Sequence, residues 1–96
     1  MSIYVLAFRQ STRETTPDIE RAWSDWFGTI GAQIADFGNR VGAARMVGQQ
    51  PAGQDGLTGY VVINADTLDA AVEIAGGCPG LRSGGRVEVG TVVPAQ

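Results

Sequence analysis

The sequence contains no histidine, no lysine and a single cysteine, Cys78. Without imidazole no triad or dyad of the Ser-His-Asp kind can be assembled. Without lysine the chain has no amine for Schiff-base chemistry beyond its N-terminus. One cysteine forms no internal bridge, and no Cys and His cluster offers a metal shell, so neither a metal nor a cofactor is expected. Positive charge is also scarce: seven basic residues, all arginine, stand against ten acidic ones, for a net charge of -3. That is the wrong balance for holding a phosphate backbone, which excludes nucleic acid as a natural partner. Long apolar runs are missing as well. The longest, Ile3 to Phe8, falls far short of the about 20 residues that cross a bilayer. It has no basic preamble and no small-residue cleavage site, so no secretory signal is read and the cytoplasm is the expected compartment.

What is present describes an ordinary globule: 96 residues, 44% hydrophobic and 18% charged. A chain of this length buries only roughly 60 to 65% of its unfolded surface, so one domain over residues 1–96 is expected. Ile3-Tyr4-Val5-Leu6-Ala7-Phe8 is apolar, of strand length and rich in aromatic and β-branched residues. Thr16-Pro17 is a helix start, with a hydroxyl to cap and a proline at the first helical position, and Asp18 and Glu20 suit the positive end of the dipole. Ile19, Trp23, Trp26, Phe27, Ile30, Ile34 and Phe37 recur at three- and four-residue steps, which predicts one helix continuing to a stop at Gly38-Asn39. Gly28 and Gly31 lie inside it, and close approach of a neighbouring element is the expected reason. Val41 to Val47 reads as a weak edge strand, and Gly48 to Gly56 as a surface loop.

Tyr60 to Ala65 is the second strongly apolar strand. Asp66-Thr67-Leu68-Asp69 opens a second helix, with Asp66 as expected cap and Leu68, Ala71, Val72 and Ala75 as expected buried stripe; Gly76-Gly77 and Pro79 end it. Arg86 to Val93 alternates as a half-exposed last strand, and Pro94 closes it. The order βαββαβ predicts an α+β, ferredoxin-like fold, a four-stranded antiparallel sheet with both helices on one face and the first and third strands central.

Those two central strands are apolar at both parities, and the helices can cover only one. The other, taken as Tyr4, Leu6, Phe8, Tyr60 and Val62 because that set is larger and partly polar, would leave a contiguous apolar face bare. Covering ~300 Å² of it at about 25 cal/mol per Å² stabilises an assembly by several kcal/mol before entropic costs. A second copy is the expected cover, giving a dimeric α/β barrel with clefts beside the sheet.

The run Gly59-Tyr60-Val61-Val62-Ile63-Asn64-Ala65-Asp66-Thr67-Leu68-Asp69-Ala70-Ala71-Val72-Glu73-Ile74-Ala75, followed by Gly77-Cys78-Pro79-Gly80, Ser83-Gly84-Gly85 and Val87-Glu88-Val89, resembles the C-terminal half of the YCII-related, or DGPF-domain, proteins. The N-terminal half agrees more loosely, through a Thr-Pro helix start and two helix tryptophans. The resemblance implies the dimeric α/β-barrel fold. The chain departs from the family in lacking the Asp-Gly-Pro-Phe tetrapeptide. Some family branches pair a histidine on the first helix with an aspartate as acid and base; here that face offers Trp23, Trp26 and Phe27, and no imidazole can be carried over.

Candidate site residues follow from side-chain chemistry. Trp23 and Trp26 are core or rim packing, or else flat walls for an aromatic ligand. Arg9 and Arg45 are permanently charged forks suited to a carboxylate or phosphate, or else solvated surface groups. Tyr60 and Asn64 share a sheet face with Glu88 nearby; a carboxylate in a buried cleft can serve as general base, while an ion pair with Arg86 or Arg45 is the plainer expectation. Cys78, just past a helix C-terminus, reads as a buried structural thiol, and Ser83-Gly84-Gly85 as a turn. Two functions fit: a homodimeric module holding a small aromatic or anionic molecule, or a cofactor-free enzyme of elimination, isomerisation or oxygenation. In the second, Tyr60 orients the substrate, Glu88 or Asn64 handles a proton, and Arg9 or Arg45 holds an anionic group.

Overall fold

The computed structural model describes residues 2–10, 16–49 and 56–94. Four strands and two helices follow in the order β1 (Ser2–Gln10), α1 (Pro17–Thr29), β2 (Ile34–Arg40), β3 (Gly56–Ala65), α2 (Leu68–Ala75) and β4 (Arg86–Thr91). Single 3-10 turns over Gly31–Gln33 and Pro79–Ser83 follow the two helices. The strands lie in the order β2-β3-β1-β4, all pairs antiparallel, with the two apolar strands central as the pattern requires. This is the ferredoxin-like α+β arrangement. Among the described residues no helix is long and apolar enough to cross a membrane.

Register decides which parity is sheltered. Tyr4, Leu6 and Phe8 on β1 and Val61, Ile63 and Ala65 on β3 are buried, together with Trp26, Ile30, Ala71 and Ala75 from the helical layer. The expectation that Tyr4, Leu6 and Phe8 form the outward face is therefore reversed. Adjacent antiparallel partners project to the same side: Phe8 lies opposite Gly59 and Leu6 opposite Val61, so the larger residues of β1 share a side with the branched set of β3. The half-buried outer face instead carries Val5 and Ala7 from β1, Tyr60, Val62 and Asn64 from β3, and Gly90 from β4, with the more exposed Ile3 at its margin.

The first helix is shorter than its apolar spacing predicts. Thr16 accepts from the Ile19 amide at 3.2 Å and Pro17 starts the helix as expected, but regular winding stops at Thr29. An ideal Cβ at Gly28 or Gly31 meets nothing within 4 Å, so neither glycine accommodates a close neighbour. Their low helix propensity, about 1 kcal/mol each relative to alanine, instead lets the chain leave the helix there. Ile34 to Arg40, read as the helix end and its stop, forms the second strand. Val41 to Val47, expected as that strand, carry no regular structure, and most of the loop expected after them, Gly48 to Gly56, lies outside the described residues.

α2 begins one residue later than expected. Thr67 is the cap, accepting from the Ala70 amide at 3.1 Å. Ala71 and Ala75 are buried, whereas Leu68 and Val72 are about half exposed, and Ala70 and Ile74 pack against the core in their place. Small residues let the helix seat on its alanine face, which rotates the larger ones outward. Past the helix, Cys78 is buried, and burial pushes its thiol pKa up, opposed by hydrogen bonds with the Gly80 and Leu81 backbone. Ser83-Gly84-Gly85 is a turn, with Gly84 at φ 80°.

Candidate functional site

A cleft of about 750 Å³ opens between α1 and the β2 side of the sheet. Its apolar walls are Ile19, Trp23 and Phe27 from α1, Phe8 from β1 and Phe37 from β2. Four of these residues and Trp26 form one connected set of ring contacts. Trp23 meets Phe8 edge to face at 5.0 Å between centroids, Phe27 lies 5.9 Å from Trp23, and Phe37 lies 6.3 Å from Phe27. Edge-to-face geometry fixes ring directions more firmly than simple area burial does, and it holds the Phe8–Trp23 corner of the wall, which Phe27 and Phe37 extend through tilted ring contacts. Phe37 is 67% exposed, an apolar ring left at the rim.

Polar groups ring the same space. Gln10, Glu20, Asn39, Arg40 and Thr58 line it, and the Thr58 hydroxyl donates to the Phe8 carbonyl at 3.2 Å. β2 is shaped for this by a bulge. Gly38 has φ 65°, and its amide donates to Asp36 Oδ1 at 2.7 Å. A Cβ there would collide with the Tyr60 carbonyl, so only glycine fits. Beyond the irregularity the strand resumes with Asn39 opposite Tyr60 and Arg40 opposite Gly59. The Asn39 side-chain amide donates to the Tyr60 hydroxyl at 3.1 Å.

The candidates read from sequence divide into four places. Trp23 and Tyr60 line the cleft. Trp26 does not: it is buried in the core, one layer behind Trp23. Arg9 and Glu88 meet on the outer sheet face, Nη2 to Oε1 at 3.4 Å, where Asn64 also lies, so Glu88 pairs with Arg9 and not with Arg86 or Arg45. The Glu88 side chain is 70% exposed, so the burial that a general base here would need is missing within the subunit. Arg45 lies in the irregular segment after β2, exposed, and is not among the cleft residues.

The sequence signals pass over Glu20, Phe37, Arg40 and Gly59 as site residues, and Phe8, expected at the dimer face, lines the cleft instead. A glycine inside an otherwise apolar strand is a sign of close approach by a ligand or another backbone, so Gly59 carried a usable signal. Arg40 carried none once its segment was taken for a helix terminus.

No protein-family model and no curated protein sequence matches the chain. Among solved structures it is similar to 5-chloro-2-hydroxyhydroquinone dehydrochlorinase (TftG) from Burkholderia phenoliruptrix AC1100, in complex with 2,5-dihydroxybenzoquinone. The two share 14% sequence identity over 97% of this chain and 95% of that one, with a TM-score of 0.65. The likeness is one of fold alone.

Proposed function

We propose that the chain is a single-domain, YCII-like protein that acts as a homodimer and holds a small planar aromatic molecule in the cleft between α1 and the sheet. The observation that carries this reading is the aromatic lining, in which Phe8, Trp23, Phe27 and Phe37 wall one space ringed by polar side chains. An apolar pocket with a few convergent polar groups is the usual form of a small-molecule site. The similar fold that binds 2,5-dihydroxybenzoquinone supports a flat ring as occupant. Binding is preferred to catalysis because the acid–base residue offered for catalysis, Glu88, is solvated and paired.

The dimer rests on the outer sheet face, now with Val5, Ala7, Tyr60 and Val62 as its centre and Arg9 and Glu88 beside them. Sedimentation at micromolar concentration tests it: a dimer is expected, and a well-folded monomer would overturn this part of the proposal. For the cleft, calorimetric titration with 2,5-dihydroxybenzoquinone is expected to give saturable binding, weakened about tenfold in Phe37→Ala, equivalent to the loss of about 1.4 kcal/mol of ring contact. Because Phe37 is largely exposed, that variant should fold normally. Absence of binding, or binding indifferent to Phe37, would overturn the assignment of the cleft.

A further inference from the structure

One row of residues crosses the helix-facing side of the sheet beneath α1. Arg40 of β2 is opposite Gly59 of β3, and Gly59 is opposite Phe8 of β1. All three line the cleft. The middle position has no side chain, so the row reads as a cation, a gap and a ring. An ideal Cβ at Gly59 would meet Asn39 O at 3.2 Å, Arg40 Cα at 3.6 Å and Phe8 Cδ2 at 3.8 Å, all atoms of the sheet and none of α1. The nearest atoms thus lie within the sheet to either side of a buried glycine, and Trp23 and Phe27 of α1 line the same cleft.

The cation beside this gap is uncommitted. Arg9 is paired with Glu88 and Arg21 with Asp18, whereas Arg40 makes no ion pair or side-chain hydrogen bond among the described residues. Arg40 and Glu20 are the charged residues lining the cleft, and they do not pair with each other. A guanidinium presents a planar fork that matches a carboxylate with two parallel hydrogen bonds. Glu20 repels any further negative charge that a ligand brings near it and accepts a hydrogen bond from a hydroxyl.

We propose that the cleft selects an aromatic monoanion: a flat ring over Gly59, one carboxylate or ionised hydroxyl on Arg40, and neutral hydroxyl substituents toward the rest of the polar rim. This rests on the ring-binding reading above and adds to it the charge of the ligand and the residue that reads that charge. Arg40 takes the anchoring role for which Arg9 and Arg45 were the sequence candidates.

Salicylate and salicylamide, which share ring and hydroxyl and differ in charge, make the test. By calorimetry the wild-type chain is expected to bind salicylate at least about tenfold more tightly than salicylamide. Arg40→Gln is expected to weaken salicylate to the level of salicylamide while leaving salicylamide unchanged. Gly59→Val, which fills the gap, is expected to weaken both. Arg40 is exposed and makes no side-chain hydrogen bond or ion pair among the described residues, so Arg40→Gln carries the test even if Gly59→Val fails to fold. Equal affinities in the wild type, or a preference for salicylate that survives Arg40→Gln, would overturn the anion assignment and leave ring binding standing. Failure of salicylate, salicylamide and 2,5-dihydroxybenzoquinone alike would remove the ring-binding reading itself.

Discussion

The two helices cover the same sheet in opposite ways. α2 presents Ala71 and Ala75 and lies close against β4 and β3, while the nearest backbone neighbours of α1 are the two 3-10 turns. Its contact with the sheet runs through Trp23, Trp26 and Phe27, whose rings act as spacers. Methyl groups bring a helix down onto the strands; indoles hold one away. Where rings only partly fill the space they hold open, a cleft is left, and it lies under α1 and not under α2. The helix that packs less completely is thus the one that can host something else.

Three substitutions test this contrast. Trp26→Ala removes the most buried spacer and is expected to destabilise the subunit by about 3–5 kcal/mol in urea unfolding, because α1 cannot collapse onto the sheet without losing its other rings. A loss below about 1 kcal/mol would mean that α1 is held by something else. Ala71→Leu forces a spacer under α2, where the parent side chain is fully buried, and is expected to cost about 1–3 kcal/mol by overpacking. Neutrality there would show that α2 has slack. The smallest effect is expected at the joint between the helices, where Gly77 and Gly80 approach Trp26 and Trp23 and Cys78 lies between them. Burial raises the Cys78 pKa above its ordinary 9.0, so the native state keeps the thiol protonated. The stabilisation this gives is fully present below the ordinary value and is lost as pH climbs through it toward the raised one. Relative to Cys78→Ala, the stability of the wild type should therefore decline above pH 9.0.

The C-terminal half is legible in sequence because its signals agree with one another. Tyr60 to Ala65, the Thr67 hydroxyl and the Gly76-Gly77 stop each favour the element that forms, although β3 begins at Gly56, ahead of the apolar run, β4 ends at Thr91 and not Val93, and the cap is displaced by one residue. The N-terminal half is ambiguous between α1 and β2. Ile30, Ile34 and Phe37 continue the helical spacing of Trp23 and Trp26, yet Ile34 and Phe37 lie on a strand. Periodicity alone cannot separate a helix that continues from one that stops at Gly28 and Gly31, since a strand with a bulge has no fixed spacing to set against it. The cleft was legible only in part for the same reason. Trp23 and Tyr60 stood on elements whose type was read correctly, whereas Phe37 and Arg40 belonged to the misread one. The sheltered parity of β1 and β3 was a separate matter, because two apolar faces carry no sign of which one the helices take.

The bend at Gly38 bears on how the sequence can change over time. A residue with any side chain there would collide with the Tyr60 carbonyl, so the position answers to the backbone and not to the cargo. Gly59 is limited by backbone too, since a Cβ there would meet the Asn39 carbonyl at 3.2 Å, whereas the exposed Arg40 side chain makes no hydrogen bond or ion pair among the described residues. On the reading proposed above, descendants of this chain acquire new tastes by exchanging Arg40, provided they inherit Gly38 unaltered.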